Sequence, residues 1–83
     1  MTYVYIVRCE DGSFYTGYTT NIENRIKQHK TGRGSAWCKT HGFVEYTYIE
    51  CADSSEGRKL ELKVKKWSRN RKEKLFKTNN TFK

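Results

Sequence analysis

Residues 3–9, Tyr-Val-Tyr-Ile-Val-Arg-Cys, run together as β-branched and aromatic positions, the pattern of a strand. Glu10-Asp11-Gly12 is a turn signal, and residues 14–18 form a second strand, so 3–18 is predicted to be a hairpin. Thr20 with Glu23 three residues later reads as a capping box, and Ile22, Ile26 and His29 follow at helical spacing. Thr31-Gly32-Arg33-Gly34-Ser35 stops that helix and begins a loop that reaches about Gly42. A third strand spans residues 43–51. Asp53 with Glu56 caps a second helix, whose buried stripe is Leu60, Val64 and Trp67. Ser68 or Asn70 can start a last short helix that carries Leu75 and Phe76. The order ββαβαα predicts an α+β domain with a small three-stranded antiparallel sheet flanked by helices.

The hairpin register decides which side chains share a face. With Asp11-Gly12 as a two-residue loop, Tyr5 pairs with Tyr18 and Tyr15 lies on the other face. With Glu10-Asp11-Gly12 as a three-residue loop and Gly12 left-handed, Cys9 pairs with Ser13, Val7 with Tyr15 and Tyr5 with Gly17. The second register is favoured, because glycine after a type I turn is strongly preferred. It puts two phenols on one face, with open space at Gly17 beside Tyr5.

Composition narrows the class. Eighty-three residues make one domain, 1–83, with 78–83 expected to fray. A chain this short buries only about 60–65% of the surface it exposes when unfolded, so it has one modest core. The periodic apolar positions and 14% aromatic residues exclude a disordered tail. Seventeen Lys and Arg against nine Asp and Glu leave a formal charge of +8, which points to a polyanionic partner, nucleic acid before membrane. Ten of the twenty residues from 58 to 77 are Lys or Arg, too lopsided for a merely solvated helix face. No apolar run is long enough to span a membrane and no signal peptide follows Met1, so the expectation is an intracellular protein that is not secreted. Three scattered cysteines fit no disulfide framework, and without a C-x₂-C pair they argue against zinc.

Tyr3-Val4-Tyr5, then Tyr15-Thr16-Gly17, then Arg25 and His29, the Gly32-Arg33-Gly34 loop, Glu61 and Lys65-Lys66-Trp67 form an ordered series over about residues 3–76. In that order and spacing the chain resembles the short stand-alone members of the GIY-YIG nuclease superfamily. The first tripeptide departs from Gly-Ile-Tyr but keeps its tyrosine. The resemblance implies a metal-dependent DNA endonuclease that cuts one strand per active site, with structured or damaged DNA among the substrates this allows. It implies Tyr5, Tyr15, Arg25, His29 and Glu61 as catalytic residues. It also implies Glu61 as ligand to one Mg²⁺ or Mn²⁺, and no small-molecule cofactor. The expected state is a monomer or weak dimer, with room for a partner protein to supply selectivity. An asparagine after the metal glutamate in larger members has Asn70 and Asn79 as counterparts here.

Those residue types suit the chemistry. Cutting a phosphodiester needs an activated water, neutralised phosphoryl oxygens and a stabilised leaving oxygen. A phenol with a pKa near ~10 is a weak base at neutral pH unless positive charge favours its phenolate. Arg25 and His29 lie four apart and project from one helix face, Arg25 to fork onto phosphate and His29 to orient Tyr5 or take its proton. Tyr15 positions water or phosphate. Glu61, beside the buried stripe, stands at the margin of the core, where a metal could sit above the tyrosine pair. One carboxylate plus waters matches the usual binding of Mg²⁺. Arg33, Lys39, Lys65, Lys66, Arg69 and Arg71 are the candidate nucleic-acid contacts. The bland readings are strand packing for a tyrosine, which is assigned to Tyr3, Tyr46 and Tyr48, a core-edge role for His29, and a Glu61–Lys65 pair worth only about 0.2–0.5 kcal/mol. The competing function is a basic nucleic-acid-binding module with this fold and little catalysis. A binder has no need of the five-residue set.

Overall fold

The computed structural model describes residues 1–31 and 40–78. Strands β1 (Thr2–Cys9), β2 (Phe14–Thr19) and β3 (Phe43–Cys51) form one antiparallel sheet in the order β2-β1-β3. Helix α1 (Ile22–Lys30) follows the hairpin, and α2 (Ser54–Lys65) and α3 (Arg69–Thr78) follow the sheet. Among the described residues no helix is long and apolar enough to cross a membrane.

The hairpin has the three-residue loop. Tyr5 pairs with Gly17 and Val7 with Tyr15, Cys9 N–H donates to Ser13 O at 2.9 Å, and Gly12 adopts φ +83°. Asp11 fixes the turn by accepting from the backbone and hydroxyl of Ser13 and from the His41 ring. The start of β3 is thereby tied to the hairpin tip, where Glu10 N–H is shared between the carbonyls of His41 and Gly42 at 3.1 Å each.

Alternation along the strands builds two cores, one on each face of the sheet. Tyr5, Val7 and Cys9 point one way and pack with Ile26 of α1, with Ile22, Tyr15, Phe43, Tyr46 and Tyr48 around them. Tyr3 meets Tyr48 edge-on and Tyr46 stacks on Tyr48, so the three tyrosines read as packing residues do pack. Val4 and Ile6 point the other way and pack with Cys51, Val64 of α2 and Phe76 of α3, with Phe14, Leu60, Trp67 and Leu75 at the margin. Of the predicted stripe Leu60-Val64-Trp67 only Val64 is fully buried: Leu60 is half-buried, Trp67 lies just past the end of α2, and the buried face of the helix is Gly57, Glu61 and Val64.

Asp53 caps α2 as its spacing predicts, accepting from Glu56 N–H at 2.8 Å. The cap of α1 is Asn21 instead of Thr20: its side chain accepts from Asn24 N–H, while Thr19 Oγ1 accepts from Asn21 N–H. Both residue types cap well, and the Thr19 contact selects the later one. Ser68 Oγ accepts from Arg71 N–H at the start of α3, and Thr78 lies in its last turn, its hydroxyl donating to Lys74 O at 3.0 Å. Asn79 and the rest of the expected tail lie outside the described residues.

Candidate active site

The site begins at the Tyr5–Gly17 pair. A Cβ on residue 17 would stand 2.6 Å from the Tyr5 hydroxyl, so the phenol occupies the space that glycine leaves. From there the Tyr5 hydroxyl reaches His29 Nε2 at 2.8 Å. Ring centroids of Tyr5 and His29 are 5.3 Å apart, those of Tyr15 and His29 also 5.3 Å, and those of the two tyrosines 6.3 Å. The two phenols thus share a face and converge on the histidine of α1.

His29 is 1% exposed, and its Nδ1 is buried with no partner among the described residues. Burial, and then the charge of Arg25 one turn earlier, lower its pKa from 6.5 to about 4. The ring is therefore neutral at physiological pH, and its Nε2 is available for a hydrogen bond to the phenol in either sense. Arg25 is half-buried beside it.

Glu61 is reached from the other side. Its helix packs on the sheet face opposite Tyr5 and His29, so the carboxylate does not stand above the tyrosine pair as the sequence suggests. The link to Tyr15 runs through Lys65 at the edge strand β2: Glu61 Oε1 accepts from Lys65 Nζ at 2.7 Å, and Lys65 and Tyr15 line one concavity of 280 Å³ with Phe14, Thr16 and Lys72. The Glu61 side chain is only 12% exposed, against 52% for Lys65. Among the described residues no three His, Cys, Asp or Glu side chains converge on a point. Among the described residues the donor set is one carboxylate at the rim of a core. That fits a divalent cation such as Mg²⁺, which keeps most of its waters, and does not fit a zinc cage.

The candidate nucleic-acid contacts differ in their surroundings. Lys66 is exposed at the end of α2. Arg71 lies over the Trp67 ring at 4.3 Å, and Arg69 over Phe14 at 5.6 Å while its Nε approaches Glu73 at 3.6 Å. Arg33 and Lys39, with the rest of the glycine-flanked loop, lie outside the described residues. Thr16 and Lys72 belong to this neighbourhood without having been singled out. Lys72 was one of ten cations in the basic stretch, and a strand threonine carries no signal of its own.

A family model described as "GIY-YIG catalytic domain" matches residues 1–74. A UPF0213 protein of Staphylococcus haemolyticus is 47% identical over 75 residues, covering 89% of this chain and 92% of that one. A UPF0213 protein of Halobacterium salinarum is 39% identical over 77 residues, covering 92% of this chain and all of its own. The solution NMR structure of a UPF0213 protein from Bacillus halodurans matches with a TM-score of 0.50 and 39% identity, over 94% of this chain and 85% of that one.

Proposed function

This chain belongs to the GIY-YIG family, and on that footing we propose that it is a metal-dependent DNA endonuclease in which Tyr5 and His29 activate the attacking water. The observation that carries the reading is the 2.8 Å contact between the Tyr5 hydroxyl and a buried, neutral His29. A phenol alone is too weak an acid to serve as a base at neutral pH. Hydrogen-bonded to an imidazole, Tyr5 can accept a proton from water at its oxygen while giving its own to Nε2. Burial, and then the charge of Arg25, oppose that transfer in the protein alone. A phosphodiester held by the Arg25 fork brings the negative charge that offsets both. Tyr15, 6.3 Å from Tyr5 ring to ring, orients the same phosphate or water. A cation on Glu61 would supply charge neutralisation at the phosphoryl and leaving oxygens. Lys65 Nζ, 2.7 Å from Glu61 Oε1, holds that carboxylate in place.

One domain offers one such site, so the expected product from a monomer is a nick. The test is incubation of the purified protein with supercoiled plasmid, branched and single-stranded DNA, with Mg²⁺ or Mn²⁺ and with EDTA. Metal-dependent nicking that disappears in Tyr5→Phe supports the reading. DNA binding without cleavage under every condition would leave the basic binding module, which the Lys65–Glu61 bridge favours because it ties up the one carboxylate.

A further inference from the structure

The concavity at the free edge of β2 has features that the chemistry at Tyr5 and His29 does not use. Thr16 lines this concavity at 6% exposure, and its hydroxyl is buried with no partner among the described residues. A buried hydroxyl without a partner is unfavourable, and a ligand that accepts from it removes the defect. Lys72 of α3 lines the same space half-buried, and among the described residues it pairs with no carboxylate. Its burial holds the ammonium below its ordinary pKa, the mark of a cation lacking a counter-charge. Lys65 stands across from it, anchored by Glu61. Two ammonium groups and one carboxylate leave a single net positive charge, which matches the single negative charge of a phosphodiester. Three donors approaching from β2, α2 and α3 suit a compact anion with several oxygens better than a planar one.

We propose that Thr16, Lys65 and Lys72 form a second phosphate site, which takes the backbone phosphate next to the scissile one and so fixes where along the strand the cut falls. Tyr15 lines this concavity and also closes the ring triangle with Tyr5 and His29, so the two phosphates are neighbours on one strand. The assignment to DNA rests on the nuclease reading; the anion site itself does not.

The test has two arms. In the first, ¹⁵N-labelled protein without divalent metal is titrated with inorganic phosphate at low salt, with acetate as the carboxylate comparison. Saturable shifts at Tyr15, Thr16 and Lys72, stronger with phosphate and weakened at least tenfold in Lys72→Met, are the expected result. Methionine keeps the aliphatic stem, so the fold is retained. Thr16→Val is expected to melt higher while binding phosphate more weakly, a pair of opposite changes that a merely structural threonine does not give. Shifts spread over Arg71, Lys74 and Lys77, equal shifts with acetate, or unchanged phosphate affinity in both variants overturn the site. In the second arm a neutral methylphosphonate replaces one phosphate beside the cleavage position. It should lower the affinity of the natural protein about tenfold and that of Lys72→Met no further. If the protein cleaves no DNA but the first arm succeeds, the nuclease reading fails and the anion site stands. If it cleaves and the first arm fails, only the second phosphate site falls.

Discussion

Tyr5 and Gly17 face each other across the β1–β2 pairing, and the Tyr5 hydroxyl lies 2.6 Å from where a side chain on residue 17 would begin. Gly17→Ala must push either the phenol or the strand. The expected loss is about 1–3 kcal/mol of stability. The cleavage rate should fall on the order of 10²-fold, because an ångström of displacement removes the phenol from His29. Thermal melting and a plasmid-nicking rate measure the two. A normal rate in a folded Gly17→Ala protein would show that the phenol's position is not critical.

Tyr5→Phe keeps the ring and deletes only the hydroxyl. His29 Nε2 is then buried without its partner, which costs about 1–3 kcal/mol. The rate should drop about 10²–10⁴-fold, the range for a lost general base. Tyr3→Phe, at a position that packs edge-on against Tyr48, is the control and should leave the rate within about twofold.

Stability should depend on pH through His29. Its pKa is about 4 in the fold and 6.5 when exposed. Between these values the unfolded chain binds more protons, so stability rises with pH across the window. The contribution is complete above pH 6.5 and lost as pH falls to 4, on the order of 3 kcal/mol in all. Asp11, lowered to about 2 by its bonds from Ser13 and then His41, acts only below that window. Denaturant unfolding at pH 7, 5.5 and 4 should show the slope, and His29→Gln should flatten it.

Glu61→Gln is nearly isosteric and breaks the ionic character of the 2.7 Å contact with Lys65. The Gln side chain keeps the volume of the buried carboxylate and an oxygen that can still accept from Lys65, so the variant should fold. Mg²⁺-induced amide shifts at Glu61 and Lys65, and turnover, should both vanish, whereas DNA affinity in EDTA should hold or rise slightly. Intact Mg²⁺ shifts in a folded variant would remove the metal role.

DNA binding in EDTA should weaken by at least about tenfold between 50 and 200 mM salt, the behaviour of phosphate contacts that release counterions. Fluorescence anisotropy with two unrelated duplexes of equal length measures it, and the two curves should nearly coincide.

The hairpin half of the site was readable because one residue decides it. Gly12 is the position that accepts left-handed φ, so Glu10-Asp11-Gly12 sets the register, and the register sets Tyr5 against Gly17 and Tyr15 beside them. Asp53 as a cap and Val64 as a core position were readable from spacing alone. The one-residue error at the start of α1 arose because Thr20 and Asn21 are both good caps, and the deciding bond comes from Thr19. Which face of the sheet each helix covers was not readable, since periodicity marks an apolar stripe without naming what it meets. That is why Glu61 lies across the edge from where it was expected. Thr16 and Lys72 were hidden for a related reason: their meaning comes from what stands beside them in space.

The two cores back to back on one sheet have a thermodynamic consequence. The phenol–imidazole pair is braced by α1 and the carboxylate by α2, and among the described residues the β-sheet lies between the two supports. Substitutions deep in one core should therefore add to those in the other when melting is measured, since the two lie on opposite faces of the sheet. Their effects on turnover should not add, because both groups must meet one phosphate. A chain built this way can have either brace replaced for stability without retuning the other, so long as β2 keeps its place between them.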